Sequence, residues 1–175
     1  MEEHLLIERC VRGELAAQKK IYELYAPVML GVCQRYVCNR EIAKDLLHDG
    51  FIKLFSKIHT FSGTGSFKGW MRKIFVTTAL EYLRRNDILR YSIEIEDINI
   101  QIKDEEILAF EQLQAKDLLN CIADLPDGYR TIFNMHAIEG YTHVEIAIEL
   151  GISEGTSRSQ YARARQMLQR KIKNL

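Results

Sequence analysis

Apolar residues recur at three- and four-residue steps along most of the chain, the spacing that lines one face of an α-helix, and a single stretch breaks the rhythm. Glu2 to Val11 forms a first amphipathic segment, Arg12-Gly13-Glu14 interrupts it, and Leu15 to Cys38 continues as a long helical stretch perturbed near Pro27. From Asn39 to Ile58 the residues Leu47, Phe51, Leu54 and Ile58 make one apolar stripe, leaving Asp45, His48 and Asp49 together elsewhere on the helix. The polar loop from His59 to Gly65 follows. Ser66 then stands where a side-chain oxygen caps a helix running to about Asn86, with Met71, Phe75, Ala79 and Tyr82 on its inner side. Helix resumes from Ile107 to about Ala123, and Leu125-Pro126-Asp127 starts another through Tyr129, Ile132, Phe133, Met135 and Ile138 to Gly140.

The broken stretch lies between Asp87 and about Glu106, where isoleucine alternates with polar and acidic residues. Alternation is a strand signal, but a lone strand has no sheet to join, so an extended acidic linker is preferred. Its roughly 18 residues, at about 3.3 Å each, reach near 60 Å when extended. The pattern predicts an all-α protein of two small helical domains, 1–86 and 107–175, joined by a flexible acidic linker at 87–106.

Thr142 to Gln169 carries the most specific local signal. Thr142 and Glu145 have the spacing of a capping box, in which each side chain satisfies a backbone N–H of the other at a helix start. That helix carries Val144, Ile146, Ala147, Ile148 and Leu150 as its apolar residues; Gly151 can take the left-handed conformation that ends it, and Ser153 can cap the next. The second helix has Tyr161, Ala164, Leu168 and Ile172 as a buried stripe, with Arg158, Ser159, Ala162, Arg163 and Arg165 largely off it. This is a helix-turn-helix pattern whose second helix shows a basic face with small residues. Such a face suits a DNA major groove; it is also what a solvated helical hairpin would carry.

Charge adds to the picture only through its distribution. Lysine plus arginine equal aspartate plus glutamate at 24 each. Yet Lys53 to Arg90 carries a net charge of about +6, Gly151 to the end about +5, and the acids dominate from Glu94 to Asp127. The four cysteines, Cys10, Cys33, Cys38 and Cys121, form no C-x-x-C pair, which favours buried free thiols in a reducing compartment over disulfides or zinc. The N-terminus has no apolar signal core and no apolar run approaches the roughly 18 residues that span a bilayer, so a cytoplasmic protein is expected.

Of the residues that invite a chemical role, His48 has a lysine and two carboxylates as neighbours but no further metal ligands, and reads as solvated or partner-facing. His136 and His143 are in no metal-binding pattern, and neither a Gly-rich phosphate loop nor a recognisable acid pair is present. No enzyme, cofactor, metal or small-molecule substrate is expected. Phe67 and Trp70 have two readings, stacking on unpaired bases or filling the core, and for Trp70 core packing is preferred. Lys68, Arg72, Lys73, Arg84 and Arg85 offer a face for phosphates. Gly50, inside a helix, costs about 1 kcal/mol relative to alanine, with no reason visible in the sequence.

Four stretches, AKDLLHDGFIKLF, GSFKGWMRKI ending in LRR, LPDGYRTIF into EGYTHVEIA, and LGISEGTSRSQYARAR, resemble in order the extracytoplasmic-function class of bacterial RNA polymerase sigma factors. The resemblance covers nearly the whole chain. It implies a first domain that binds core polymerase and the melted minus-ten promoter element, and a second that binds the minus-thirty-five element as duplex. Carried over by position, Asp45, His48, Asp49 and Lys53 resemble the surface that docks on the polymerase clamp helices. The loop from Phe61 to Ser66 resembles the one that holds a base flipped from the nontemplate strand. Lys68, Arg72, Lys73, Thr77, Glu81, Arg84 and Arg85 lie on a helix similar to the one that engages the melting element. Glu154, Arg158, Ser159, Ala162 and Arg163 occupy positions that meet the distal element. The resemblance also implies an anti-sigma partner.

Several positions depart from the family pattern. Val76-Thr77 stands where an arginine-asparagine pair is frequent, His48 where glutamine is common, Gly50 where a branched residue is usual, Ser157 for a usual valine, and Gln160 for a frequent arginine. The last two are expected to alter base choice or weaken a phosphate contact. The competing function is a helix-turn-helix regulator that binds duplex DNA without being a polymerase subunit; it needs no aromatic loop and no acidic docking face.

Overall fold

The computed structural model describes residues 3–86 and 115–173, and every described element is helical. The predicted linker at 87–106 and the start of the helix predicted from Ile107 lie outside the described residues. The chain divides into two compact units, one ending at Leu83 and the other beginning at Arg84.

The first unit contains α1 (Glu3–Val11), α2 (Leu15–Tyr36), α3 (Arg40–Lys57), a 3-10 turn at Ile58–Thr60 and α4 (Phe67–Arg85), whose last turn crosses the division. Pro27 withholds one backbone N–H without ending α2, which runs through it as one helix. The side chain of Asn39 accepts from the N–H groups of Glu41 and Ile42 at 2.9 and 3.1 Å, and that of Ser66 accepts from Gly69 N–H at 3.2 Å, so α3 and α4 both start on side-chain caps. The core joins Ile21, Met29 and Val32 of α2, Leu46, Phe51 and Leu54 of α3, and Met71, Phe75 and Ala79 of α4, all nearly or fully buried. On α4 the inner stripe ends on Leu83 rather than Tyr82: Leu83 is buried, and Tyr82, with a phenol oxygen to hydrate, is only half-buried.

Gly50 is explained by its neighbour. A Cβ built there would stand 2.4 Å from the ring of Phe75, so the absence of a side chain lets the α4 ring rest directly on the α3 backbone. Phe51 meets the same ring edge-on, 5.1 Å between centroids.

The second unit contains α5 (Ala115–Ala123), α6 (Asp127–Phe133), α7 (His143–Leu150) and α8 (Glu154–Lys173). Leu125, Cys121, Ile122, Phe133, Ala164 and Leu168 form its apolar core. Arg130, itself buried, ties the α5–α6 corner by donating to the carbonyls of Ala123 and Leu125 at 3.2 and 2.8 Å and to the Asp127 carboxylate. A buried guanidinium is tolerable because it is hydrogen-bonded and paired in this way. Where the periodicity predicts one regular helix to Gly140, the structure widens into a π-turn over Asn134–Ile138, with Asn134 and Met135 fully buried.

The helix-turn-helix forms as its local signals require. Both arms of the Thr142–Glu145 capping box are made, Gly151 adopts φ 67°, and Thr156 N–H donates to Ser153 Oγ at 2.9 Å. Of the apolar residues of α7, Val144 and Ile148 are 52% and 76% exposed, because this eight-residue helix packs through the side that bears Ile146. One expectation is corrected. Arg163, read as lying on the free face of α8, is 8% exposed, on the side that packs into the unit. All four cysteines are free, as expected; Cys10, Cys33 and Cys121 are buried, whereas Cys38, just past the end of α2, is exposed. Burial pushes the Cys33 thiol up to about 12.

Candidate nucleic-acid and protein-binding faces

On α3, Asp45, His48 and Asp49 are exposed and Lys53 is half-buried, and their three- and four-residue spacing puts them on one arc of the helix. Ile52 lies on the same arc, one turn beyond His48 and Asp49 and next to Lys53, and is 68% exposed. Reading for the buried stripe passes over it; the signal available was that Ile52 falls off the line of Leu47, Phe51, Leu54 and Ile58. The surface thus joins an exposed apolar residue to polar and charged residues on the two turns before it. Lys53 Nζ reaches Glu81 on α4 at 2.5 Å, so two residues assigned by resemblance to different surfaces are partners in the same ion pair.

On α4, Lys73, Thr77, Glu81 and Arg84 follow one another at three- and four-residue steps, all exposed except half-buried Glu81. Lys68 and Arg72 flank them on the first two turns, exposed and half-buried, and Arg85 is exposed at the end. Val76 is buried, so of the Val76-Thr77 pair only Thr77 is available to a ligand. At the start of α4, Phe67 is buried and Trp70 half-buried; Phe61 from the preceding loop packs on both, at 5.3 Å between centroids in each case. Trp70 is therefore neither free nor interior: it forms the outer part of an aromatic cluster with Phe61 and Phe67. Ser66, in the same loop, is exposed and caps α4.

On α8, Arg158, Ser159 and Gln166 are exposed and Glu154, Ala162 and Arg165 half-buried, a continuous arc along the helix. Arg158 Nε donates to Glu154 Oε1 at 3.0 Å. Gln166 was not among the expected residues, though its four-residue step from Ala162 marks it. Ser157 and Gln160, by contrast, lie at 0% and 3% exposure, so the Gln160 position makes no surface contact and the effect expected on a phosphate is corrected.

Ser157 has a different task. Its Oγ lies 2.9 Å from His143 Nδ1, and the His143 ring stacks on His136 at 4.2 Å between centroids, with Tyr161 edge-on to both. His136 Nδ1–H donates to the Tyr141 carbonyl at 2.8 Å. The four groups join the π-turn, α7 and α8. Burial, then the adjacent His136 and Arg158, hold the His143 pKa below its ordinary 6.5, against the opposing pull of Glu154. The unfolded chain therefore takes up this proton first as pH falls. The stability due to His143 is complete above about pH 6.5 and declines below it toward the folded-state value. The unfolding midpoint of the second unit is expected to drop between about pH 7.5 and about pH 5.5, and less so in His143→Gln. A pH dependence identical in that variant would assign the loss to other groups.

Among the described residues no three His, Cys, Asp or Glu side chains converge as metal ligands, and no helix is long and apolar enough to cross a membrane.

Comparison with known proteins places both units. The Sigma-70 region 2 family matches residues 21–88, and the Sigma-70 region 4 family residues 115–168. The ECF RNA polymerase sigma-E factor of Haemophilus influenzae is 30% identical over 100% of this chain and 97% of its own length. The RNA polymerase sigma-H factor of Pseudomonas aeruginosa is 26% identical over 99% and 95%. Among solved structures, the sigma factor RpoE of Bartonella quintana, in complex with the anti-sigma factor NepR, has a similar fold: TM-score 0.53 at 21% identity, covering 89% of this chain and 96% of that one.

Proposed function

Because the chain belongs to the ECF RNA polymerase sigma factor family, we propose that it is an alternative sigma factor, which binds core polymerase, recognises promoter elements and promotes their melting. The observation that carries this reading over an ordinary helix-turn-helix regulator is the surface of α3. A duplex-binding regulator has no use for an exposed isoleucine on one helix arc with Asp45, His48, Asp49 and Lys53, whereas a subunit that must dock has. Core polymerase is the partner of that surface.

Promoter DNA is the partner of the two basic faces. The exposed side of α4 carries Lys68, Arg72, Lys73, Arg84 and Arg85 for phosphates, with Thr77 and Glu81 between them, and the aromatic Phe61 stands at its start for an unstacked base. The second helix of the helix-turn-helix presents Glu154, Arg158, Ser159, Ala162 and Gln166 to duplex in the major groove. Arg163 supports that helix from beneath. An anti-sigma protein is the expected regulator, as the solved relative was captured with one. The work done is binding throughout, with no covalent bond made or broken, and it requires no cofactor or small-molecule substrate.

Mixed with core polymerase, the purified chain is expected to co-elute as one complex and to confer initiation on a subset of genomic fragments that core alone leaves silent. A chain that binds such fragments without joining polymerase would establish the regulator reading instead.

A further inference from the structure

The docking arc of α3 and the basic face of α4 adjoin at one ion pair. Lys53 Nζ lies 2.5 Å from Glu81 Oε2, and both side chains are half-buried, so water screens this pair less than it would a pair on the open surface. The close approach of the helices favours it: the Phe75 ring lies on the α3 backbone at Gly50, less than one turn before Lys53. Each member has a rival partner on its own helix. Asp49 stands four residues before Lys53, and Arg85 four residues after Glu81, both exposed. In both rival pairs the acid precedes the base, the order an α-helix favours at this spacing. Neither rival pair forms. Among the described residues Asp49 and Arg85 have no ion-pair partner, because Lys53 and Glu81 hold each other.

We propose that Lys53 and Glu81 are positioning residues with crossed duties: by binding Glu81, Lys53 keeps Arg85 free for promoter phosphate, and by binding Lys53, Glu81 keeps Asp49 free for core polymerase. The inference rests on the proposed sigma function and deepens it, giving each residue a part in the contact made by the other helix. Without the Glu81 carboxylate, the nearest acid left to Lys53 on its own helix is Asp49, one turn back. An Asp49 so paired offers little charge to a basic partner. Without the Lys53 ammonium, Glu81 is left as a bare carboxylate on a face that meets phosphates, and Arg85, one turn on, is the cation that answers it. One arginine is then lost to DNA. The pair across the helices avoids both losses. It neutralises the cation of an arc that otherwise carries Asp45 and Asp49, and it neutralises Glu81, the sole acid of α4, beside Arg84 and Arg85.

The test measures two affinities in four chains: wild type, Lys53→Gln, Glu81→Gln and the double variant. Binding of core polymerase is read without DNA, and binding of fork-junction DNA is read on holoenzyme already formed. Glu81→Gln is expected to weaken core binding about threefold to fivefold, and Lys53→Gln to weaken fork binding to a similar extent, the upper range for a partly exposed ion pair. The double variant has neither the lysine that would capture Asp49 nor the carboxylate that would capture Arg85. It is expected to bind core about threefold better than Glu81→Gln and the fork about threefold better than Lys53→Gln, a non-additivity that marks the two positions as coupled. Lys53→Gln should also lower the salt dependence of fork binding by about one phosphate contact, and the double variant should restore it. A pair that only clamps α3 to α4 would instead weaken both affinities in each single variant with no recovery in the double. That result would overturn the inference, as would single variants that bind both partners as wild type does. Failure of the wild type to form holoenzyme would overturn the function on which it rests.

Discussion

Replacing Asp45 and Asp49 together with lysine is expected to weaken binding of core polymerase by at least about a hundredfold. Both carboxylates are exposed on the arc of α3 that includes Ile52, so reversal places two like charges against whatever basic groups they meet. Such juxtaposition costs several kcal/mol across an interface, and a hundredfold corresponds to about 2.7 kcal/mol. Because neither residue is part of the core, the double variant should unfold within about 0.5 kcal/mol of wild type, which separates lost docking from lost folding. Ile52→Asp tests the exposed apolar residue and is expected to cost about tenfold in affinity as an isolated change. Competition binding against a labelled wild-type chain measures both affinities, and denaturant unfolding the stability. A double variant that competes as well as wild type would move the docking face off α3.

Gly50→Ala is expected to destabilise the first unit, against the ordinary effect of alanine in a helix. Propensity alone favours alanine by about 1 kcal/mol. The new Cβ would stand 2.4 Å from Phe75, whose ring is fully buried and bounded by Phe51, so either the ring or the two backbones must give way. Overpacking costs about 1–3 kcal/mol, and at so close an approach about 2–3 kcal/mol, leaving a net loss of about 1–2 kcal/mol and a midpoint lower by roughly 4–16 °C for a unit of this size. Phe75→Leu in the same chain removes the obstructing ring, so the double variant should be more stable than the sum of the two single losses by about 1 kcal/mol. Strict additivity in thermal unfolding would show that the two positions do not collide.

What could be read in advance divides by how local its cause is. The capping box at Thr142 and Glu145, the stop at Gly151 and the cap at Ser153 need only residues three or four positions apart, and all formed as expected. The Leu47, Phe51, Leu54 and Ile58 stripe was legible for the same reason: one helix face is a sequence period. Ser157 and Gln160 were misplaced because their burial depends on what meets that side of α8, and one such partner, His143, comes from another helix fourteen residues away. Arg163 fell to the same cause, since arginine is seldom interior and its type argued for the surface. The π-turn at Asn134–Ile138 left no mark on an apolar pattern that fits a regular helix equally well. Ile52 was overlooked because an apolar residue in a helix is first assigned to the core, and Gly50 was noticed but left unexplained because its reason is an aromatic ring twenty-five residues later.

That contact between Gly50 and Phe75 sets how the first unit can do mechanical work. With a ring seated on bare backbone at Gly50, and Lys53 bound to Glu81 further along, α3 and α4 are keyed together at two points that sliding would have to break. The unit behaves as a mould and not as a lever. In the role proposed for it, such a unit has no stroke with which to prise strands apart; it would offer a fixed impression that rewards bases already outside the stack and would draw its opening power from the fraying of the duplex itself. Promoters that breathe readily would then open fastest, at a pace set by the DNA.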